Sequence, residues 1–192
     1  MVSDNPADAT AIARAGGAEN LVMLLRDGTN NDKQYALWSL SLGLDETFHE
    51  VIAERDGVTP LVAALASRDA MRMEQAAAAL SKLAVGGQDA RLMIAKAGGI
   101  EPLVALLDGH EANGTERAQR DAAAALAELA LVPSNKVSIE HAGGIAPLVA
   151  LLCSHATILP EHSQLEADNL RTIAVNGKRF AAAALARLSS TD

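Results

Sequence analysis

The fold is decided by one stretch of the sequence, IAKAGGIEPLVALL at residues 94–107, which recurs as IEHAGGIAPLVALL at residues 139–152. Looser copies surround Gly17 and Gly57, where the flanking isoleucine, leucine and valine keep the same offsets. The last glycine of the four copies stands at positions 17, 57, 99 and 144, so the repeat periods are 40, 42 and 45 residues. Self-similarity at such a period is the signature of a repeat architecture.

Each copy predicts a break between two helices. Glycine tolerates the left-handed conformation in which helices end. The proline three residues later, at positions 60, 102 and 147, suits the first turn of a helix, where its missing N–H costs nothing. The following leucines and valine have the i, i+3, i+4 spacing of one helix face. An alanine-rich third helix then closes each unit with an Ala-Leu pair, at 36–37, 79–80, 125–126 and 184–185.

No such unit can bury its apolar face alone, whereas stacked units can. The sequence therefore predicts an all-α fold, a right-handed α-solenoid of about four repeats with three helices each. We expect one domain over residues 1–192, with repeats at about 8–44, 45–86, 87–132 and 133–190. The last repeat is lengthened by an insertion at about 153–179, either a binding element on one edge or a tolerated surface loop.

The pattern Ile-x3-Gly-Gly-Ile-x-Pro-Leu-Val-x-Leu-Leu, complete at 94–107 and 139–152, resembles the armadillo repeat of β-catenin and importin-alpha. The resemblance covers about residues 8–190. HEAT repeats, the nearest alternative, lack the Gly-Gly break. The resemblance implies a superhelix whose third helices line a concave groove that holds an extended peptide.

Helical geometry identifies candidate groove residues on the first of these third helices. At 100° per residue, Tyr35 and Trp38 lie opposite the apolar positions of their helix. Exposed aromatic residues are common binding anchors. The competing interpretation is that Trp38 packs on the next third helix, or that this end meets further repeats. The candidate partner-binding residues are Tyr35, Trp38, Ser39, Gln75, Lys82, Asp121, Glu128 and Arg187.

The resemblance also narrows the range of peptides that the groove is expected to bind. Importin-alpha holds lysine-rich peptides with paired Trp and Asn side chains. The corresponding Trp positions here are 35, 78, 124 and 183, and the Asn positions hold Ser39, Lys82, Glu128 and Arg187. No Trp–Asn pair is kept, and Lys82 and Arg187 would repel a basic peptide, so nuclear-import cargo is disfavoured.

Charge and composition argue against several other classes of function and location. The net charge is −8, with 16 basic residues scattered among 24 acidic ones, which disfavours nucleic acid and anionic membranes. The first residues carry no signal-peptide pattern, and the apolar stretch 142–153 is too short to span a membrane. A cytoplasmic location, with the nucleus also open, is therefore expected.

We expect no catalytic residues, no cofactor and no metal. Cys153, His155 and His162 form the one cluster that suggests a metal site, but a fourth ligand and standard spacing are missing. Cys153 follows two leucines, so a small buried or half-buried thiol is expected. The Gly-Gly pairs match neither the GxGxxG dinucleotide-binding pattern nor the P-loop pattern.

The leading hypothesis is therefore a non-catalytic module that binds a protein or peptide partner in the groove. The alternative is the substrate-recruiting armadillo region of a U-box ubiquitin ligase, which tandem copies of this motif also resemble. A membrane-tethered scaffold resembling vacuolar armadillo proteins is a third possibility, although Met1-Val2 offers no glycine for myristoylation. The last helix has no polar cap after it, which suggests a longer protein or end-to-end self-association.

Overall fold

A computed structural model describes residues 17–42, 46–108, 115–153, 179 and 181–189 of the chain. Every regular element in these ranges is a helix. The helices are α1 Ala18–Asp27, α2 Asn30–Leu42, α3 Glu46–Glu54, α4 Val58–Leu65, α5 Ala70–Val85, α6 Gln88–Lys96, α7 Ile100–Leu107, α8 Glu116–Leu129, α9 Pro133–His141 and α10 Ile145–Cys153. Residues 181–189 form a further helix, α11.

These helices follow the predicted order of first, second and third helix in each repeat. Repeat 2 contains α3, α4 and α5, and repeat 3 contains α6, α7 and α8. Repeat 1 contributes α1 and α2, and repeat 4 contributes α9, α10 and α11. The first helix predicted for repeat 1 and most of the 153–179 insertion lie outside the described residues.

Helices of one kind stack on their counterparts in the next repeat. The third helices α2, α5 and α8 pack side by side, and the second helices α1, α4, α7 and α10 form a parallel layer. Within each of repeats 1 to 3 the second and third helices also pack on each other. The largest fully buried side chains are Leu and Ile from all four repeats. This arrangement confirms the predicted all-α solenoid.

The first glycine of the motif adopts the left-handed conformation. Gly98 has φ +76° and Gly143 has φ +74°. In repeat 2 the same place is taken by Asp56, which has φ +55°. The Asp56 carboxylate accepts a hydrogen bond from the Thr59 hydroxyl at 2.8 Å. Aspartate is one of the few residues that tolerates this backbone region, so the turn is kept without glycine.

The second glycine is required by packing rather than by its φ angle. A Cβ atom at Gly99 would lie 2.9 Å from Ile94 Cγ2 and 3.2 Å from Val62 Cγ2 of the preceding repeat. Gly144 stands in the same relation to Ile139 and Val104. The isoleucine five residues earlier and the valine one repeat earlier therefore close over the glycine, which explains why the three residue types recur together.

The three prolines lie in the first turn of the second helices, as predicted. These helices begin at Val58, Ile100 and Ile145, two residues before each proline. The N–H groups of a first helical turn have no partner within the helix, so proline costs no hydrogen bond there.

No single described helix is long and apolar enough to cross a membrane. Taken together, α9 and α10 meet the length and composition criteria, but they are bent by 80° at their junction.

Candidate partner-binding face

The stacked third helices present one continuous outer surface, which we call the third-helix face. It consists of the side chains of α2, α5, α8 and α11 that lie opposite the core positions of each helix. Three rows of equivalent positions run along it, because the third helices are related by steps of 43, 46 and 59 residues. The rows hold Tyr35, Ala78, Ala124 and Ala183, then Trp38, Ser81, Ala127 and Ala186, then Leu42, Val85 and Leu131. Ala127 is buried, and Leu131 lies in the turn that follows α8.

The two aromatic residues of this face differ in their accessibility. Tyr35 is 67% exposed, in agreement with its helical angle. Trp38 is half-buried, as is Ser39 beside it. The equivalent positions in the later repeats hold alanine or serine, so the face has small side chains beyond its first repeat. Tyr35 therefore stands as the largest accessible side chain at one end of a shallow surface.

Gln75 and Asp121 lie beneath the face rather than on it. Gln75 is 7% exposed, and its side-chain oxygen accepts a hydrogen bond from Gln34 Nε2 at 2.7 Å. Asp121 is 8% exposed and pairs with Arg120 at 2.8 Å. Buried polar groups need such partners. The Gln34–Gln75 hydrogen bond joins α2 to α5, whereas Asp121 pairs with its neighbour on the same helix α8.

Lys82 is half-buried, and its ammonium group donates a hydrogen bond to the backbone carbonyl of Ser41 in the preceding third helix. Burial lowers the pKa of Lys82 below its ordinary value, because desolvation disfavours the charged form. Asp121 opposes this shift of the pKa, and Arg120 reinforces it. The lysine therefore spans two repeats.

Glu128 contacts both Arg187 and Arg91, and the sequence analysis did not identify Arg91. The Glu128 carboxylate accepts a hydrogen bond from Arg187 at 3.1 Å and one from Arg91 at 3.0 Å. Arg187 also donates to the carbonyl of Ala127. Arg91 lies on the first helix α6, 37 residues away in sequence, and no periodicity marks it. These charges are largely compensated within the protein.

The row at the end of the third helices was also missed. Leu42, Val85 and Leu131 are 51%, 65% and 45% exposed. Leu42 and Val85 are the last residues of α2 and α5, and Leu131 lies in the turn that follows α8, so a large apolar side chain is exposed at the equivalent position of three repeats. Alignment of the repeats could have identified this row, because Leu42, Val85 and Leu131 are 43 and 46 residues apart, as are the first three Ala-Leu pairs.

The structure corrects the expectation for Cys153, which is exposed at the end of α10. It lies five residues after the buried Leu148, about 140° further round the helix, which turns it away from the core. His155 and His162 lie outside the described residues. Within the described ranges, no group of three or more His, Cys, Asp or Glu side chains could hold a metal ion.

A cleft of about 430 Å³ opens between repeats 1 and 2, lined mainly by residues of α1, α2, α4 and α5. Three cationic side chains line it together with one carboxylate: Arg26, Lys33, Arg72 and Asp56. Arg26 is paired with Asp27 at 2.8 Å, and Arg72 hydrogen-bonds Gln34 at 3.1 Å. Two of the cations are therefore already engaged.

Comparison with known proteins agrees with this architecture. The family model described as Armadillo/beta-catenin-like repeat matches residues 87–131. A crystal structure titled as an engineered protein is 31% identical over 98% of this chain and 69% of that chain, with a TM-score of 0.77. Another engineered protein is 29% identical, with a TM-score of 0.77, over 98% of this chain and 41% of that chain. This chain thus spans about two fifths of that relative.

A third similar structure is described as a computationally designed armadillo repeat protein for modular peptide recognition. It is 26% identical over 95% of this chain and 69% of that chain, with a TM-score of 0.71. No curated protein matches the sequence with significance. The chain belongs to the armadillo-repeat family. None of these similarities points to a ubiquitin ligase.

Proposed function

We propose that this protein is a non-catalytic interaction module whose third-helix face binds an extended segment of a partner protein. The observation that carries the proposal is the recurrence of accessible apolar side chains along that face, with Tyr35 at one end and Leu42, Val85 and Leu131 along one edge. Aromatic and apolar side chains of this kind supply most of the free energy in protein interfaces.

The charges favour a partner segment that is rich in apolar side chains rather than in lysine and arginine. The carboxylates of Asp121 and Glu128, which would attract a basic ligand, are already paired with Arg120 and Arg187, and the half-buried ammonium group of Lys82 lies on the same helices. Neighbouring helices are about 8–10 Å apart, and an extended chain advances about 3.3 Å per residue. Apolar side chains roughly two to four residues apart would therefore meet successive repeats.

The similarity to a designed armadillo protein made for peptide recognition supports this mode of binding. The third-helix face has small side chains at Ala78 and Ala124, which leave room for the side chains of a ligand. We infer that the segment lies across the third helices with its apolar side chains toward the row formed by Leu42, Val85 and Leu131.

The test is selection of 12-residue peptides from a random displayed library on the full chain, followed by titration of the selected peptides. Tyr35→Ala and Val85→Ser are expected to weaken binding by about tenfold or more each, since each removes an exposed contact worth more than about 1.4 kcal/mol. Both residues are exposed, so both variants should keep the wild-type melting temperature.

Val137→Ser is the matched control, because Val137 is 51% exposed on the first helix α9, away from the third-helix face. It should leave peptide affinity unchanged. The selected peptides should also be enriched in apolar residues at the stated spacing. Peptides that bind equally well to Tyr35→Ala, Val85→Ser and wild type would refute the proposed site, and a failure to select any peptide would refute the mode of binding.

A further inference from the structure

The cleft between repeats 1 and 2 contains a lysine at a position that the other repeats fill with alanine. Lys33 lies on α2, in a row of core positions whose other members are alanines that are 0% exposed: Ala76, Ala122 and Ala181. Lys33 itself is half-buried and lines the cleft. It lies about 160° round the helix from Tyr35, so the cleft is separate from the third-helix face.

The ammonium group of Lys33 makes no hydrogen bond or ion pair with any residue in the described part of the chain. The other two cations of the cleft have partners, because Arg26 pairs with Asp27 at 2.8 Å and Arg72 donates to Gln34 at 3.1 Å. The hydrogen bond from Arg26 lowers the pKa of Asp27, and the charge of Lys33 adds to this effect through space. An anion that entered the cleft would therefore give the Lys33 ammonium a charge-assisted hydrogen bond that it lacks.

The charges of the lining favour an anion. Of the described residues that line the cleft, three are cationic and one, Asp56, is acidic, in a protein whose net charge is −8. The carboxylates that face Arg26 and Arg72 from outside the lining, those of Asp27 and Asp69, are more than half exposed, so solvent screens them. The positive excess is small, and it fits a singly charged carboxylate better than a doubly charged phosphate.

The walls beside the cations are apolar. They are formed by Leu25, Leu37, Pro60, Ala63 and Ala64. The volume of about 430 Å³ lies within the range of small-ligand pockets. A ligand that matches this lining carries a short apolar group next to its anionic group.

The next junction between repeats does not keep these features. The positions of the three cations are held there by alanine: Ala66, Ala76 and Ala118. At the position of Ala64, which is half-buried in the cleft wall, the next repeat has the longer Leu106, which is 2% exposed. The cationic cleft is therefore particular to repeats 1 and 2 and is not a general consequence of stacking.

We propose that this cleft is a binding site for a carboxylate joined to a short apolar group, with the Lys33 ammonium as its anion-binding group. The ammonium donates a hydrogen bond to the carboxylate, and the apolar group lies against Pro60 and Ala63. A free branched-chain acid and the C-terminal residue of a peptide both present this chemistry. The site does not depend on binding at the third-helix face.

The test is an NMR titration of the isotope-labelled full chain with isocaproate, and with isocaproamide as its uncharged match. Isocaproate is expected to bind with a dissociation constant on the order of 1 mM and to shift the backbone amides of Lys33, Thr59 and Ala63. Isocaproamide should bind at least tenfold more weakly, because it offers no charged acceptor.

A peptide distinguishes the two sources of the carboxylate. Acetyl-Ala-Ala-Leu with a free C-terminus is titrated beside the same peptide with a C-terminal amide. Tighter binding of the peptide acid than of isocaproate would support a protein C-terminus as the ligand, and weaker binding would support a free acid.

Three variants locate the site. Lys33→Met keeps the aliphatic stem and removes the ammonium group, so it should weaken isocaproate binding at least tenfold and make the acid and the amide bind alike. Lys96→Met is the matched control, because Lys96 is exposed on α6, and it should leave the affinity unchanged. Ala64→Leu introduces the residue of the next repeat and should block the cleft without removing a charge.

Lys33→Met should not lower the melting temperature, since it breaks no described hydrogen bond or ion pair. It therefore decides the proposal even if Ala64→Leu proves less stable. The absence of saturable binding, equal affinity for isocaproate and isocaproamide, or unchanged affinity in Lys33→Met would each overturn the proposal. Inorganic phosphate that competed as strongly as isocaproate would overturn the assignment of a carboxylate.

Discussion

At the scale of single residues, the two glycines of each motif meet different demands. Gly98 needs a positive φ angle, and a Cβ atom there would have no neighbour within 4 Å. Gly99 has an ordinary φ of −75°, but a Cβ atom there would press on Ile94 and Val62. The first glycine is thus required by the backbone conformation, and the second is required by the packing of two repeats.

Gly99→Ala is expected to lower the free energy of unfolding by about 1–2 kcal/mol, because overpacking a closed contact costs about 1–3 kcal/mol and alanine recovers a part through the unfolded chain. Denaturant titration measures this change. Because Val62 Cγ2 would lie 3.2 Å from the new Cβ, Val62→Ala should relieve some of the strain. The double variant should therefore be less destabilised than the sum of the single variants, by about 0.5 kcal/mol or more.

Gly98→Ala provides the matched control. Its cost of about 1 kcal/mol comes from the positive φ angle, so it should add to Val62→Ala without coupling. If Gly99→Ala and Val62→Ala were simply additive, the packing explanation of the second glycine would be wrong.

At the scale of elements, two of the third helices begin at a side-chain cap that lies outside the repeated motif. Asp69 caps α5, where its carboxylate accepts hydrogen bonds from the backbone N–H groups of Met71 at 3.0 Å and Arg72 at 3.4 Å. Thr115 caps α8 in the same way through Ala118 N. The second helices α4 and α7 instead start at glycine without a side-chain cap, since they follow directly on the Gly-Gly turn.

Asp69→Ala should destabilise the protein by about 1 kcal/mol, because it removes an acceptor for two N–H groups at a helix N-terminus. Thermal and chemical unfolding both report the loss. Asp69→Asn keeps an acceptor at the same place and should restore most of the stability, although it weakens the exposed pair with Arg72 at 3.5 Å. Equal losses for the alanine and asparagine variants would show that charge, and not capping, is what Asp69 contributes.

At the scale of the whole molecule, polar side chains join each repeat to the next across an apolar stack. Asn135 of repeat 4 is 2% exposed, and its amide donates to the carbonyls of Leu129 and Arg91 in repeat 3. Lys82 reaches from repeat 2 to Ser41 in repeat 1, and Arg187 reaches from repeat 4 to Glu128 in repeat 3. In a solenoid, stability depends on such nearest-neighbour contacts, because distant repeats do not touch.

Glu128→Ala should therefore lower the free energy of unfolding by about 1–3 kcal/mol, since it removes the acceptor of two charged hydrogen bonds in a partly buried place. Glu101→Ala is the control, because Glu101 is exposed in the first turn of α7, and it should change stability by less than about 0.5 kcal/mol. Urea titrations of both variants make the comparison. A loss for Glu128→Ala no greater than for Glu101→Ala would mean that solvent replaces the ion pairs at no cost.

The prediction from sequence succeeded where the interaction lies within one repeated unit. Residue types and helical spacing were enough to predict the left-handed glycines, the prolines in the first turn of the second helices, and the exposure of Tyr35 on α2. The exposed row of Leu42, Val85 and Leu131 was predictable by the same alignment. The burial of Gln75 and Asp121 was not predictable, because the solvation of a polar side chain at the edge of a helix depends on the neighbouring repeat.

The sequence by itself determined the class of this protein, because a motif repeated four times requires the same helix triplet four times and a stack to bury it. Only the tertiary structure decided which long side chains meet between repeats, such as Arg91 with Glu128, and which faces stay uncovered at Ile145 and Val149. The reason is physical. Periodicity along the chain encodes contacts made by every repeat alike, whereas the partner of a long charged side chain and the exposure of one side of a helix depend on how neighbouring repeats are placed in space.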